Sequence, residues 1–488
     1  MTFSSLFYKA FARGAVLGAG MLALPGCGQI LDIESEPVLV EHKCKGTLRV
    51  RITTDNTGTA TDIAPPYNHG IYDYLRHLND TQGGIKECPI DVEMKDASYD
   101  PAITGQVVEE WRQEPEWSEV STLFIFGTGP TTYVAQQLTE EKKIIIPGSY
   151  AGSLASPVPI SKEVSYFEIN AAGQTFEVSE QKTSPGYPYI FFPATDYSTA
   201  IRIGIQAAWK IAPGRIAMAH ETADKCLYCV DPLVAGKSYV LQLPGMLLGE
   251  DVIVPQTSSA ADEPSVVQPI TNYMQREIDR KIADPAYVPV SWIWTGNSVF
   301  SSSLIGKAAA MAQELINAQL DPSHQWTLRV MSNNWGIGET SPGICGTGCS
   351  NIVYGLFPVP RYGDLQNSEG MTGLMEVHDK YRGKDGHALD AYRDVRYVQG
   401  YAAALMWHQA VERAIDAGYT TPTGENLKKI LESFNDVDLK SMTAGPISFN
   451  STDHRPQSNA SVYRITEEGS FAFIDSYSIS LDPNWLGY

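Results

Sequence analysis

Thr47-Leu-Arg-Val-Arg-Ile-Thr-Thr54, then Ile71, Leu75 and Leu78 ahead of Gly83-Gly84, then Pro89-Ile-Asp-Val-Glu-Met-Lys95: the reading of this run decides the fold class. The first and last pieces alternate apolar and polar side chains with period two, the pattern of a half-buried strand. The middle piece, over 67–82, has helical spacing and stops at two glycines. Strand, helix, strand in that order is a βαβ unit with parallel strands. Asp100-Pro101 opens another helix, with Asp suited to the cap and Pro to the first turn. Thr122-Leu-Phe-Ile-Phe126 and Lys143-Ile-Ile-Ile-Pro147 are short apolar runs, as expected of strands buried on both faces of a parallel sheet.

The alternation then restarts. Tyr189-Ile-Phe-Phe192 reads as a strand before a helix over 197–211. Arg215-Ile-Ala-Met-Ala-His220, Asp251-Val-Ile-Val254, Val290-Ser-Trp-Ile-Trp294 and Trp326-Thr-Leu-Arg-Val-Met331 are further strands, with helices over 264–283 and 301–318. Two such series predict two doubly wound α/β lobes. Residues 335–363 are rich in Gly and Pro and read as loops, followed by helices over 388–417 and 424–434. The tail carries strand-like Pro446-Ile-Ser-Phe449, Ser461-Val-Tyr-Arg-Ile465 and Ser470-Phe-Ala-Phe-Ile474. Residues 151–188 lack a clear period and read as an insertion.

The 488 residues carry a net charge of −20, with 43% apolar and 19% charged residues. That length predicts several domains or lobes, and the composition excludes a largely disordered chain. The acidic balance disfavours nucleic-acid and anionic-membrane partners. Residues 1–26 have Lys9 and Arg13, no acid, and a small-residue apolar stretch ending at Leu24-Pro25-Gly26-Cys27. This reads as a lipoprotein signal peptide with lipid attachment at Cys27, followed by a tether over 27–45. No later stretch is apolar enough for a span. The six remaining cysteines, an even number in an exported chain, read as disulfides. Proximity favours Cys226–Cys229 and Cys345–Cys349, leaving Cys44–Cys88. A four-cysteine zinc site and a redox role for Cys226-Leu-Tyr-Cys229 are the rival readings.

Several motifs occur in the order of a known family. They are Tyr67-x-x-Gly70, Asn79-Asp-Thr-Gln-Gly83-Gly84-Ile85, Asp96-Ala-Ser-Tyr-Asp100-Pro101, the loops Gly127–Thr132 and Ile146–Ser149, and Tyr397-x-x-Gly400-Tyr401. Over 46–466 the chain resembles the type I substrate-binding proteins of ABC importers, in their branched-chain amino-acid-binding (Leu/Ile/Val) form. The resemblance implies two hinged lobes, 46–190 plus 333–445 and 191–332 plus 446–488. A ligand cleft would lie between them, with permease subunits as partners and the protein acting as a monomer. In amino-acid binders of this family, a hydroxyl after the fourth strand holds the carboxylate and an acid in the second lobe holds the ammonium. Here Tyr150 stands near the first position, and Gly296-Asn-Ser-Val-Phe300 holds no acid. The departure points to a weakly polar or aromatic ligand, with aromatic surface from Trp292, Trp294 and Phe300.

Loops after parallel strands converge on one cleft. Candidate ligand-binding residues are Asn56, Tyr67, Thr128, Gly129, Thr131, Ser149, Tyr150, Tyr228, Asn297 and Phe300. Hydroxyls and glycine-exposed N–H groups suit an oxygen-bearing ligand, although the same residue types also serve turns. Catalytic signals are poor. Gly148-Ser-Tyr-Ala-Gly152 sets its Ser one place early for a nucleophile elbow. Asp231 stands where a phosphate-binding loop ending in Gly236-Lys-Ser238 needs Gly. His220-Glu221 is half of an acid–base or metal pair at most. The expectation is a solute-capturing lipoprotein of the cell envelope without enzyme activity, metal or cofactor. A sensor subunit, an ordinary amino-acid-binding protein and, least favoured, a secreted hydrolase are the alternatives.

Overall fold

The first βαβ unit forms where the pattern places it: β1 Leu48–Thr54, α1 Ala64–Gln82 and β2 Ile90–Asp96. In this computed structural model the described residues are 42–485 and 487, apart from 171–173, 223–224 and 385. The expected signal segment, Cys27 and most of the tether lie outside them. Helix α1 opens on Pro65-Pro66 and closes on Gly83 at φ 69°, a left-handed position that suits glycine. Helix α2 Pro101–Arg112 is capped by Asp100, which accepts from the N–H of Ala102 (2.7 Å) and Ile103 (3.0 Å). Then come β3 Val120–Phe126, α3 Thr128–Glu140 and β4 Ile144–Gly148. The four strands form one parallel sheet in the order β2-β1-β3-β4. Strands β3 and β4 are buried along their whole length, as their apolar runs require.

The insertion is a hairpin, β5 Ile160–Ile169 and β6 Thr175–Ser184, paired antiparallel over ten residues each. Only Ile160, Val164 and Ser184 among its paired residues are buried, so no core pressed a hydrophobic period onto its sequence. The second series follows with α4 Tyr197–Ile211, β7 Arg215–His220, α5 Val230–Val240, β8 Leu247–Leu248, β9 Val252–Ile253, α6 Glu263–Ala283, β10 Val290–Thr295, α7 Val299–Gln319 and β11 Arg329–Ser332. The hairpin is tied to α5 through Lys237–Glu168 (2.5 Å) and Lys182–Asp231.

After α8 Ser341–Cys345 a further strand appears, β12 Val353–Phe357, inside the stretch read as loops. It runs parallel to β11 and antiparallel to β13 Asn459–Ile465, which pairs with β14 Phe471–Ser478. The second sheet is therefore β14-β13-β12-β11-β10-β7-β8, with β9 also on β7. Residues 353–357 were expected with the first lobe, yet their partners lie in the second sheet. The return to the first sheet falls after β12. Two sequence-expected strands are absent as strands. Tyr189–Phe192 contributes one bridge, Ile190 to Ile145, and Pro446–Phe449 one bridge, Ile447 to Val437. Their apolar residues plug the core instead, with Phe191, Phe192 and Ile447 fully buried.

Helices α9 Met371–Tyr381, α10 Val395–Asp416 and α11 Gly424–Leu431 complete the chain. Helix α9 was not anticipated. Helix α10 lies on α1, and a Cβ at Gly400 would fall on the Tyr67 carbonyl oxygen, one at Gly70 on that of Tyr397. The spaced Tyr-x-x-Gly motifs are thus two halves of one close helix crossing. The three pairings Cys44–Cys88, Cys226–Cys229 and Cys345–Cys349 are formed. Among the described residues no helix is long and apolar enough to cross a membrane, and no group of three metal-ligating side chains occurs.

Candidate functional site: a cleft between the two sheets

The carboxyl ends of strands from both sheets meet around one cleft. From the first sheet come Ile63 ahead of α1, Tyr99 in the turn after β2, Phe126 at the end of β3, Thr128 and Gly129 opening α3, and Gly148 ending β4. From the second come Tyr197 opening α4, Glu221 after β7, Tyr228 before α5, Gln256 after β9, Gly296 and Ser298 after β10, and Trp335 after β11. Gly127 links β3 to α3 at φ 96°, and a Cβ there would sit 2.5 Å from the Tyr99 ring. The position needs glycine both for its backbone angle and for the ring that lines the cleft.

The cleft has two compartments. The inner one is walled by Tyr99, Phe126, Tyr197, Tyr228 and Trp335 and is narrow, with a cavity volume of about 20 Å³. That space holds about one water molecule. The outer one, about 300 Å³, is bounded by Thr59, Pro101, Gly129, Pro130, Glu221, Lys225 and Leu227. Tyr99, Thr128, Tyr228 and Gln256 belong to both and form the neck between them.

Few polar groups are placed among these rings, and most already have partners. The Trp335 indole N–H donates to the Tyr197 hydroxyl at 2.8 Å, and Thr128 Oγ1 shares a hydrogen bond with Ser149 Oγ at 2.6 Å. The Tyr228 hydroxyl donates to Gln256 Oε1 and to Glu221 Oε2 (3.3 Å), while Glu221 Oε1 accepts the Gln256 N–H at 2.9 Å. Burial pushes the Tyr197 phenol up to about 12 and raises Tyr99 and Tyr228 as well, so all three stay neutral donors near neutral pH. Behind the Gly296–Phe300 loop, the Phe300 N–H donates to Asp62 Oδ2 at 3.0 Å, joining the two sheets' loops. Burial raises the Asp62 carboxyl above the usual carboxylate range. Both amide atoms of the fully buried Asn297 have no protein partner.

Of the residues expected to touch ligand, Thr128, Gly129 and Tyr228 line the cleft. Tyr67, Ser149 and Tyr150 lie directly behind the lining. The Tyr67 ring meets Phe126 and Trp335 at 5.8 and 5.5 Å, and Tyr150 stacks on Trp335 at 5.6 Å. Asn297 adjoins the lining residues Gly296 and Ser298. Phe300 is half-buried at the start of α7. Thr131 turns its hydroxyl back onto the Gly127 carbonyl at 2.7 Å, and Asn56 is exposed on the β1–α1 loop, its N–H donating to Asp96. Trp292 and Trp294 face the other side of the sheet. Trp294 packs over Gly204 of α4 and beside Leu356 in the second core. Alternation along β10 sends both tryptophans to one face, and that face is the core.

Trp335, Tyr99 and Glu221 are lining residues that the sequence did not single out as such. Tyr99 lies inside the Asp96–Pro101 motif, and Glu221 directly follows His220. The neighbouring His220 is occupied structurally, with Nδ1 2.6 Å from the Glu221 carbonyl and Nε2 3.4 Å from Asp251.

A profile described as periplasmic binding protein matches residues 342–470. An ABC transporter substrate-binding protein of Aeropyrum pernix superposes with a TM-score of 0.69 at 22% identity, over 91% of this chain and 99% of that one. A branched-chain amino-acid ABC transporter protein of Thermus thermophilus with bound valine gives 0.67 at 15%, over 91% and 98%. A fatty-acid ABC transporter substrate-binding protein of Thermomonospora curvata gives 0.61 at 16%, over 91% and 94%. The fold is that of the type I periplasmic binding proteins. None of the curated proteins matches the sequence. Valine and a fatty acid in the names of two neighbours illustrate that this fold does not dictate its ligand.

Proposed function

We propose that the chain captures a small solute outside the cytoplasm and delivers it to the permease of an ABC importer. The cleft carries this reading: loops from both sheets converge on one concave, largely aromatic surface with few polar groups, the usual make-up of a small-molecule site. Two lobes, one on each sheet, would close on the ligand by hinge motion. The favoured ligand is weakly polar or aromatic. Its support is the ring lining of the inner compartment and the absence of acid from residues 296–300. Ring–ring contacts add about 0.5–1.5 kcal/mol each beyond area burial.

The reading includes attachment to the membrane through lipid on Cys27, and Thr128, Gly129 and Tyr228 as direct ligand contacts. Mass spectrometry of small molecules released from the purified, denatured protein tests the function. An aromatic or weakly polar compound at near-stoichiometric yield supports it, and a protein that retains nothing and shows no thermal shift across aromatic acids, amides and apolar carbonyl compounds refutes it. Metabolic labelling with a lipid precursor tests the anchor, since Cys27→Ala removes the label if the lipobox reading holds.

One observation favours a second reading, an ordinary amino-acid binder. Glu221 supplies an acid to the second sheet's side of the cleft from the end of β7, with Lys225 beside it in the same compartment. A saturable shift with leucine or valine, lost in Glu221→Gln, would establish that alternative.

A further inference from the structure

The short bridge Cys226–Cys229 encloses two residues, Leu227 and Tyr228, and both face the cleft. Its cysteines are buried, whereas Leu227 is 60% exposed, an apolar side chain held out on the lip. A Cβ placed on Gly129, across the cleft, would lie 3.7 Å from Leu227 Cδ1. Tyr228 belongs to both compartments, and its hydroxyl is held by Glu221 and Gln256. Two backbone bonds close the same turn, the N–H groups of Cys229 (3.3 Å) and Val230 (3.4 Å) both donating to the Cys226 carbonyl. Helix α5, which starts at Val230, receives no side-chain cap from Cys229. Four residues closed by a disulfide have few conformations left, so a ring carried inside them is fixed in place.

We propose that the Cys226–Cys229 bridge is a positioning element of the binding cleft: it holds Tyr228 as the gate between the outer compartment and the inner aromatic one. The proposal rests on reading the cleft as the ligand site and adds the path by which the inner rings are reached. With the bridge intact, Tyr228 and Tyr99 narrow the neck and shield Tyr197 and Trp335 from water. Without it, the four-residue lip gains conformations, Tyr228 leaves its two acceptors, and the inner rings become accessible.

Nitration of tyrosines by tetranitromethane, mapped by peptide mass spectrometry on the full chain, tests this without any ligand. In C226S/C229S, nitration of Tyr99, Tyr197 and Tyr228 rises about fivefold or more over wild type, the change in open population that a modest local loosening gives. Tyr74 and Tyr401, whose rings meet at 4.6 Å between α1 and α10, stay at their wild-type level. The C345S/C349S pair, a bridge beside α7, leaves all five unchanged. Unchanged nitration of the three cleft tyrosines overturns the proposal. So does an equal rise at Tyr74 and Tyr401, which would make the bridge a general stabiliser. C226A/C229A serves if the serine pair does not fold, and if neither folds the bridge is a folding requirement and the proposal falls. Because no ligand enters, a protein that retains nothing and shows no thermal shift would refute the functional reading and leave this result standing on its own.

Discussion

The two walls of the cleft are built differently. The first-sheet wall comes from turns that follow their strands at once, Phe126-Gly127-Thr128 after β3 and Gly148-Ser149 after β4, on a sheet whose strands were plain in the sequence. The second-sheet wall adds to such turns, at Glu221 after β7 and Gly296 after β10, several scattered pieces: a disulfide-closed lip, a residue beyond a two-residue strand, and Trp335 from the loop after β11. Short regular turns fix side chains through the backbone alone. Scattered pieces depend on side-chain anchors, so the second wall is the one that single substitutions disturb most.

Trp335→Ala is the severest way to break the comparison. The side chain is 5% exposed and contacts Tyr67, Phe126 and Tyr150 as well as bonding Tyr197, so it braces both walls. Removing it costs about 3–5 kcal/mol, read as a lower urea midpoint at constant slope. Gly400→Ala attacks the support behind the first wall. Its methyl group meets a backbone carbonyl of α1 that cannot yield without separating the helices, and the cost is about 3 kcal/mol. A midpoint within error of wild type would mean that the α1–α10 crossing is looser than its geometry.

Thr128→Ala sharpens the comparison within the first wall. It removes the bond to Ser149 and costs about 1 kcal/mol. Paired with Ser149→Ala in a double-mutant cycle, it should show that most of this cost is their mutual interaction.

The smallest effect at neutral pH is a slope. Burial lowers His69 on α1 to about 3, with repulsion from Arg382 and His387 adding to it. The folded value lies below the unfolded one, so the unfolded chain takes up the proton first. This contribution to stability is intact above about pH 6.5 and declines as pH falls towards 3. His69→Asn flattens the acid limb of the stability–pH curve, measured by urea unfolding at a series of pH values. An unchanged acid limb would show that His69 takes up its proton at the same pH in the folded and the unfolded chain.

Sequence pattern exposed the first sheet almost entirely because each of its strands is either alternating or uniformly apolar, and the first three are separated by a helix closed at Gly83 and one capped by Asp100. It failed at β12, where Val353–Phe357 lies among the glycines and prolines of 335–363 and becomes a strand only because β11 and β13 offer edges on both sides. The opposite error occurred at Tyr189–Phe192, an apolar run that fills the core without joining a ladder. At the cleft, Thr128 and Gly129 were legible as lining residues because they follow directly on β3, at the start of α3. Trp294 misled, since an aromatic near a strand end carries no sign of which face it takes.

By itself the sequence determined the α/β class, the parallel order of local units, the cysteine pairs closed over short separations and the shortage of catalytic motifs. These are properties of neighbours along the chain, set by period, capping and turn chemistry. Only the tertiary structure decided that Trp335, Tyr99 and Glu221 share a cleft, that Trp294 does not, and that Asp62 reaches the N–H of Phe300 across 238 positions of sequence. Such contacts come from how two sheets twist and meet, and no local pattern encodes that meeting, because the energy that selects it is packing summed over both cores.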